Sequence, residues 1–376
     1  MQNSSLKDLS LYFLKLGTIG FGGPIALVGY MHRDLVEKRK WLTQEEYSKG
    51  LTLSQLAPGP LAAQLAIYIG YTRFRILGAT LVALFFIAPS FLMVLGIGML
   101  YVRFGGLPWM QALFYGIGAA VIGIIASSAY KLTRSTIKNK KLLWAIFAVM
   151  FTTTAYTRQE NVLLFILSGL VALFVFAPPK RLFSSTLVAF SIGGSMLGIS
   201  NTPVLLKLLL YFTEAGAFVF GSGLAVVPFL YSGVVLQNHW LNQKQFLDAV
   251  AVAMITPGPV VITVGFIGYL VAGFWGAVVT SIGVFLPVYL IVILLTPFYQ
   301  KFAKNPQVGA FVEGVTAAAT GAISGAVIVL GQQSIKDVFT VLVALGALIG
   351  LRKFKIPEPI LIVLAGVLGL IFYHHN

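Results

Sequence analysis

Two short motifs interrupt apolar stretches of the chain, and each motif occurs twice. A glycine motif fills residues 20–24 and returns at 220–223, and a Pro-Gly-Pro motif fills residues 58–60 and returns at 257–259. Glycine permits positive φ angles, while proline lacks an N–H group and favours the first turn of a helix. Each motif therefore predicts the end of one half-helix and the start of another.

Anion binding is the chemistry that such breaks can perform inside a membrane. Broken backbone is tolerated there only where protein or water receives its polar groups, and a helix N-terminus offers free N–H groups and about half a positive charge. Four breaks brought together by a repeat would form an oxyanion site near the midplane. The alternative is that these residues only kink helices, which the duplication of both motifs disfavours. The predicted substrate-binding residues are Gly22, Gly23, Pro24, Gln55, Pro58, Gly59, Pro60, Gln64, Gly221, Ser222, Gly223, Thr256, Pro257, Gly258, Pro259 and Thr263.

Side chains near the breaks could complete this site. The amides and hydroxyls can donate hydrogen bonds without a fixed charge, although helix packing is the competing role for each of them. Ionisable groups are costly in lipid, so Lys15, Glu214 and Glu313 are candidates for charge or proton coupling. Lys15 and Glu214 occupy equivalent positions, and they could pair, or Lys15 could face the anion while Glu214 carries a proton. The alternative is that both lie near the membrane surface.

Composition predicts the elements that must position these residues. Hydrophobic residues make up 58% of the 376 and charged residues only 10%, against roughly 25% charged in a soluble domain. Residues 249–300 carry no charge, which is enough for two membrane passes at about 20 residues each. No segment shows the alternating pattern of a barrel strand. We therefore predict an all-α polytopic membrane protein in the lipid bilayer, with broken or re-entrant helices at the midplane.

Several other functions are disfavoured by the sequence. The net charge of +15 comes from basic residues in short loops, where they set membrane topology rather than bind nucleic acid. There is no cysteine, the four histidines lack metal-ligand spacing, and no Walker loop or nucleophile–base set is present. We expect no nucleic-acid partner, no metal, no cofactor and no enzymatic activity.

The chain contains an internal duplication. A shift of 199 residues aligns Tyr12 with Tyr211 and the two Pro-Gly-Pro motifs with each other, and a one-residue slip to 198 then aligns Pro89 with Pro287. One register held over most of each half indicates a repeat. We predict a first repeat over 1–140, connecting transmembrane helices over 141–203, a second repeat over 204–331 and C-terminal transmembrane helices over 332–376.

Loop charges predict that the two repeats are inverted. Residues 32–49 hold five basic side chains, whereas the equivalent 231–248 hold only Lys244. Farther along the chain, other loops of the second repeat carry more basic residues than the equivalent loops of the first. Because loops rich in Lys and Arg stay cytoplasmic, equivalent loops should lie on opposite sides of the membrane. Inversion requires an odd number of crossings between the starts of the two repeats, and the stretch 186–200 could supply the last one. The broken segments are either re-entrant hairpins or full spans, and charge favours re-entry for 48–73.

The motifs resemble those of the chromate ion transporter family. The resemblance rests on residues 21–24, on the Pro-Gly-Pro motifs, on the second glycine motif and on Phe285-Leu286-Pro287. It departs from the family pattern at Leu27 and in 231–233 and 253–255. The resemblance implies a two-domain member that exports chromate, with sulfate as a related ligand. We expect the protein in the inner (plasma) membrane.

Alternating access around a midplane site is the mechanism that these features favour. An anion channel on the same scaffold and a structural or lipid-handling membrane protein are the alternatives. The sequence leaves the oligomeric state open, and a homodimer is one option.

Overall fold

The structure is a computed structural model that describes residues 5–105, 107–158, 162–178, 203–218, 226–299 and 305–373. Within these residues the chain is helical and holds no strand, which confirms the predicted all-α class. Four helices are long and apolar enough to cross a membrane. Two sequence predictions, the stretch 186–200 and the glycine motif with Gly221, Ser222 and Gly223, lie outside the described residues.

Local capping marks where two helices of the first half begin. The Ser5 side chain accepts from the peptide N–H of Asp8, and Thr43 and Glu46 form a capping box, so each cap gives a partner to an N–H group that the helix itself leaves unpaired. The helices are α1 (Leu6–Ile19), α2 (Gly23–Met31, continued by a π-helix, His32–Lys38), α3 (Gln44–Leu56), α4 (Leu61–Phe104), α5 (Pro108–Thr136), α6 (Lys141–Thr157) and α7 (Val162–Phe176).

The second half repeats this element order. Asn242 and Gln245 form a capping box at the positions equivalent to Thr43 and Glu46. The helices are α8 (Val204–Phe218), α9 (Val226–Tyr231, continued by a π-helix, Ser232–Gln237), α10 (Gln243–Ile255), α11 (Thr263–Leu295, preceded by a 3₁₀ turn, Val260–Ile262), α12 (Pro306–Ser334), α13 (Val338–Arg352) and α14 (Glu358–Phe372).

The helix α4 reverses direction inside its length. Phe74 and Arg75 have non-helical backbone angles, with φ −137° and ψ 24° at the first and φ 54° and ψ −143° at the second. A Cβ atom at Gly70 would collide with the backbone of Gly78, so the helix folds back on itself there. We call residues 61–73 the short arm of α4 and residues 76–104 its long arm.

The helix α11 reverses at the equivalent point. Ala272 has φ −143° and ψ 28°, and Gly273 has φ 61° and ψ −150°. A Cβ atom at Gly268 would meet the backbone of Gly276. Residues 263–271 are therefore the short arm of α11 and residues 274–295 its long arm. The two halves share one backbone turn, although the first half places Arg75 where the second has glycine.

Both motif-interrupted segments of the first half fold back as helical hairpins. The Arg39 guanidinium lies over the rings of Tyr12 and Trp41, so the middle of α1 lies beside the end of the π-helix. Arg73 donates to the Trp41 carbonyl and, at 3.1 Å, to Glu46, so the short arm of α4 ends beside the start of α3. We call α1 with α2 the first hairpin, and α3 with the short arm of α4 the second hairpin. Their open ends lie together.

The second half forms the corresponding pair. The Tyr211 hydroxyl donates to the Phe229 carbonyl at 2.8 Å, and the Tyr211 and Trp240 rings lie 5.6 Å apart. We call α8 with α9 the third hairpin. Tyr101 contacts both Asp248 on α10 and Phe266 on the short arm of α11. These two helices form the fourth hairpin.

The long arms of α4 and α11 pack along each other and link the halves. Near the start of the α4 long arm, the Thr80 hydroxyl lies 2.5 Å from that of Tyr289, late in the α11 long arm. Near its end, the Tyr101 hydroxyl lies 2.6 Å from Asp248, at the open end of the fourth hairpin. Between Thr80 and Tyr101 a helix rises about 31 Å. The open ends of the second and fourth hairpins are thus at opposite ends of one helix.

The last two helices of each half pack against the other half. Glycines let these helices approach closely, as is common in membranes: a Cβ atom at Gly116 of α5 would meet the Ala365 carbonyl of α14, and one at Gly321 of α12 would meet the Phe147 carbonyl of α6. Helices α13 and α14 therefore pack on α5, and α6 and α7 pack on α12.

The outer surface of the long helices is apolar. Leu92 on α4 is 62% exposed and Leu294 on α11 is 64% exposed, and other large apolar side chains are exposed on the same helices. A surface of this kind is unfavourable in water and favourable in hydrocarbon. The chain is a multi-pass membrane protein.

Candidate functional site

The first break has the backbone that its glycines predict. Helix α1 ends at Ile19, Gly22 and Gly23 adopt φ angles of 105° and 72°, and Pro24 lies in the first turn of α2. A side chain at either glycine would be strained in this left-handed region. The predicted end of one half-helix and start of the next is confirmed here.

The two Pro-Gly-Pro motifs also break their helices in the same way. Gly59 has φ 138° and Gly258 has φ 94°. The prolines that follow them, Pro60 and Pro259, are extended and precede the next helical turn. Each motif is therefore the tip of a hairpin, with a helix N-terminus just beyond it.

The tip of the fourth hairpin meets the tip of the first. The peptide N–H of Gly258 donates to the carbonyl of Gly20 at 3.0 Å. The Ser90 hydroxyl, on the long arm of α4, lies 2.7 Å from the Pro257 carbonyl and 3.4 Å from the Gly17 carbonyl. Three elements from both halves thus converge, and they bring the N-termini of α2 and of the 260–262 turn into one region.

The tip of the second hairpin has the equivalent neighbour. A Cβ atom at Gly59 would lie 3.1 Å from Val288, on the long arm of α11, and Val288 is the counterpart of Ser90 in the repeat. The glycine motif that would complete this pair lies outside the described residues. The tip of the fourth hairpin therefore contacts the Ser90 hydroxyl, whereas the tip of the second hairpin lies beside a methyl group of Val288.

The two candidate glutamines occupy different environments. Gln64 is fully buried, and its Nε2 donates to the carbonyls of Pro58 at 2.6 Å and Ala57 at 3.2 Å. Among the described residues no group donates to its Oε1. Gln64 therefore holds the Pro-Gly-Pro turn with both of its donors. Gln55, one turn before that motif, is exposed, so its amide is the accessible one.

The candidate hydroxyl groups bond within their own segments. Thr256 donates to Val252 at 2.6 Å and Thr263 donates to Val260 at 2.8 Å. In this structure their protons are engaged. Peptide N–H groups of the first helical turns, which have no acceptor inside the helix, are further donors near the tips.

The three candidate charged residues, all within the described part of the chain, form no ion pair with one another. Lys15 is exposed and Glu214 is half-buried, and they form no ion pair within the described residues. Glu313, early in α12, pairs with Lys140 just before α6. That pair connects two elements that already pack together, which is sufficient to explain a charge there.

Sequence alone did not single out two residues near the tips, Ser90 and Glu358, or Asp248 at the open end of the fourth hairpin. Ser90 was hidden in a long apolar span, Asp248 replaces Lys49 in the repeat, and the Oε2 atom of Glu358 lies 4.0 Å from the place a Gly23 Cβ would occupy. For Ser90 the available signal was a polar residue directly after Pro89 in an uncharged stretch. For Asp248 it was a reversal of charge between equivalent positions.

A cavity of about 540 Å³ lies at the open ends of the first two hairpins. Its lining includes His32, Arg33 and Tyr47. The His32 ring nitrogens lie 2.7 Å from Gln44 and 3.1 Å from Glu37, so the ring connects the two hairpins. Arg33, one of the five basic side chains in residues 32–49, borders this cavity.

These features define a class: helical membrane proteins whose broken hairpins meet tip to tip at the interface of two repeats. The chain matches the family model described as chromate transporter over residues 7–174 and 206–370. It belongs to the chromate transporter family.

Individual relatives agree over nearly the whole length. The chain is 57% identical to the chromate transport protein of Cupriavidus metallidurans over 380 residues, covering 99% of this chain and 95% of that protein. It is 57% identical to a probable chromate transport protein of Synechococcus elongatus over 377 residues, covering 98% and 96%. It is 28% identical to a chromate transport protein of Pseudomonas aeruginosa over 390 residues, covering 98% and 93%. No solved structure matches the chain.

Proposed function

We propose that the chain exports chromate across the inner (plasma) membrane, with sulfate as a related ligand, by alternating access. Family membership supports chromate as the substrate. The observation that carries the site is the hydrogen bond from the Gly258 N–H to the Gly20 carbonyl, because it joins two hairpin tips from different halves.

The anion site of this proposal is built from backbone. Helix N-termini begin just after Gly22 and after Pro259, and each adds partial positive charge and unpaired N–H groups to the region of the tips. A tetrahedral dianion presents four oxygens, which N–H donors from different elements can share. Gln55 supplies an accessible side-chain amide beside the second tip.

Inversion of the two repeats is part of the same proposal. The contacts of Thr80 with Tyr289 and of Tyr101 with Asp248 support it. Open ends about 31 Å apart along one helix are separated by roughly the hydrocarbon thickness of a bilayer. Equivalent open ends would then face opposite compartments, and the tips would lie between them.

The membrane potential favours export of such an ion. A dianion that leaves a negative-inside cell gains about 2.3 kcal/mol per charge per 100 mV, or about 4.6 kcal/mol for two charges. At about 1.4 kcal/mol per decade, this supports a gradient of about three decades. The membrane potential could therefore drive export by itself, with or without a coupled proton.

Flux from proteoliposomes tests the proposal. Vesicles loaded with labelled chromate would be given an inside-negative potential with valinomycin and a potassium gradient, with sulfate added as a competitor. We expect saturable efflux that rises with potential. Flux that ignores the potential would exclude electrogenic export, flux that never saturates would favour a channel, and absence of chromate flux would exclude the substrate.

A further inference from the structure

Asp248 is a carboxyl group buried at the interface of the two halves. It is 3% exposed, on a helix whose next six residues, 249–254, are also buried. The Tyr101 hydroxyl donates to its Oδ2 at 2.6 Å. The Tyr101 ring is in turn held edge-on by Phe114 of α5, at 5.5 Å, and by Phe266 of α11, at 5.3 Å. The carboxyl therefore sits in an aromatic and aliphatic setting with one hydroxyl donor.

Within the part of the chain that the structure describes, no cation pairs with this carboxyl group. Among the described residues Asp248 forms no ion pair, and Lys244, one turn earlier on α10, is exposed and acts on it only at longer range. Arg103, two residues after Tyr101, is exposed and lies against Phe104. The long arm of α11 and the 260–262 turn carry no charge. The other charged residues on elements that pack on α10 are Arg73 and Arg75 at the opposite end of α4, Lys131 and Arg134 at the end of α5, and Glu358 on α14.

The repeat gives this position a counterpart of opposite charge. Lys49 is equivalent to Asp248, and Tyr299 is equivalent to Tyr101. Lys49 is partly exposed, pairs with Glu45 at 2.6 Å and interacts electrostatically with Tyr299. One open end thus carries a neutralised surface cation, and the other a buried carboxyl without a cation. An unpaired carboxylate removed from water is costly, whereas a carboxylic acid that keeps one hydrogen bond is tolerated.

We propose that Asp248 is a proton-binding site, and that opening of its contact with Tyr101 couples proton exchange to movement of the oxyanion. The coupling rests on the proposed chromate transport, while the proton site itself does not. In the packed state the Asp248 oxygen holds the proton. When the halves move apart at this end, water reaches the group, the O–H bond ionises, and the proton passes to water. Closure is disfavoured while Asp248 is deprotonated, so each transport cycle carries a proton.

Infrared spectroscopy of the full chain in lipid vesicles tests the proton site without any chromate. We expect a carboxylic-acid C=O band near neutral pH that Asp248→Asn removes. Asp337→Asn is the matched control, because Asp337 also accepts from a tyrosine of the first half, Tyr115, but is exposed. The hydroxyl of Tyr115 and the peptide of Thr340 hold the pKa of Asp337 below its usual range, and asparagine preserves its helix cap. An identical band in wild type and Asp248→Asn would overturn the site.

A second variant covers the case in which Asp248→Asn does not fold. Tyr101→Phe keeps the ring contacts and removes only the hydroxyl, so the same band should move to higher wavenumber. A band unmoved by Tyr101→Phe would overturn the assignment to Asp248.

Transport tests the coupling. Chromate efflux from wild-type vesicles should change with an imposed pH gradient, and Asp248→Asn should lose that dependence while exchange at equal pH continues. A gradient dependence that survives in Asp248→Asn would overturn the coupling. Wild-type vesicles that move no chromate would overturn the proposed function and the coupling together, and would leave the infrared result to decide the proton site.

Discussion

Gly258 and Gly20 lie 238 residues apart in sequence, and the peptide N–H of one donates to the carbonyl of the other at 3.0 Å. A Cβ atom at Gly258 would collide with the Ser90 hydroxyl and would lie 3.4 Å from the Gly17 carbonyl. Its φ of 94° is also unfavourable for other residues. Glycine is therefore required here both by backbone conformation and by the closeness of a second hairpin tip.

The glutamines beside the first Pro-Gly-Pro motif should separate stability from transport. Gln64→Leu leaves the Pro58 and Ala57 carbonyls without their donor, which costs about 2–3 kcal/mol, and removes one unpartnered acceptor, which offsets about 1 kcal/mol. The net loss of about 1–2 kcal/mol should appear as a lower melting temperature in detergent. Gln55→Ala, at an exposed position, should keep the melting temperature and raise the KM for chromate. A Gln55→Ala transporter with unchanged kinetics would remove that side chain from the site.

Ser90 should contribute to the joint between the halves. Its hydroxyl donates to the Pro257 carbonyl at 2.7 Å. Ser90→Ala should lower the free energy of unfolding by about 1–2 kcal/mol, because that buried acceptor loses its donor. Ser127 is the control, since its hydroxyl is buried without a partner among the described residues. Ser127→Ala should be neutral or slightly stabilising. Equal effects of the two substitutions would show that the Ser90 contact adds nothing.

The reversal in α4 should be relieved by glycine. Arg75 adopts φ 54° and ψ −143°, a conformation that Gly273 adopts in the second half and that costs a non-glycine residue about 1–3 kcal/mol. Arg75→Gly should therefore raise the melting temperature. Arg75→Gln removes the charge and keeps the strain, so it should not. A melting temperature lowered by Arg75→Gly would show that the side chain contributes more than its backbone costs.

The proposed inversion can be tested by cysteine labelling, because the native chain has no cysteine. Lys40 and His239 are equivalent, exposed and alike in backbone, each with φ 50°. With a membrane-impermeant maleimide on intact cells, we expect labelling of His239→Cys and not of Lys40→Cys. Permeabilised cells should label both. Labelling of both variants from the same side would indicate parallel repeats.

Local sequence was sufficient to predict the described helices and the three breaks that the structure describes. Positive φ at Gly22 and Gly258 and the capping box at Thr43 and Asn242 follow from residue types and spacing alone. The duplication was likewise readable, because it preserves identities such as Pro89 and Pro287.

The partners across the interface could not be read in this way. Ser90 and Pro257 are 167 residues apart, and nothing in either segment specifies the other. Burial of Gln64 and Asp248 also depends on how hairpins pack after they form. The sequence predicted that both glutamines belong to one site. In the folded chain the donors of Gln64 hold the Pro-Gly-Pro turn, and Gln55 is accessible.

Chromate binding by Gly258→Ala is the most direct test of an oxyanion site at the hairpin tips. Equilibrium binding to purified protein should be compared with wild type and with Gly273→Ala, a position that also has a positive φ but has open space around it. The tip site predicts at least about tenfold weaker binding for Gly258→Ala, equivalent to about 1.4 kcal/mol, and unchanged binding for Gly273→Ala. Wild-type affinity in a folded Gly258→Ala protein would contradict the account.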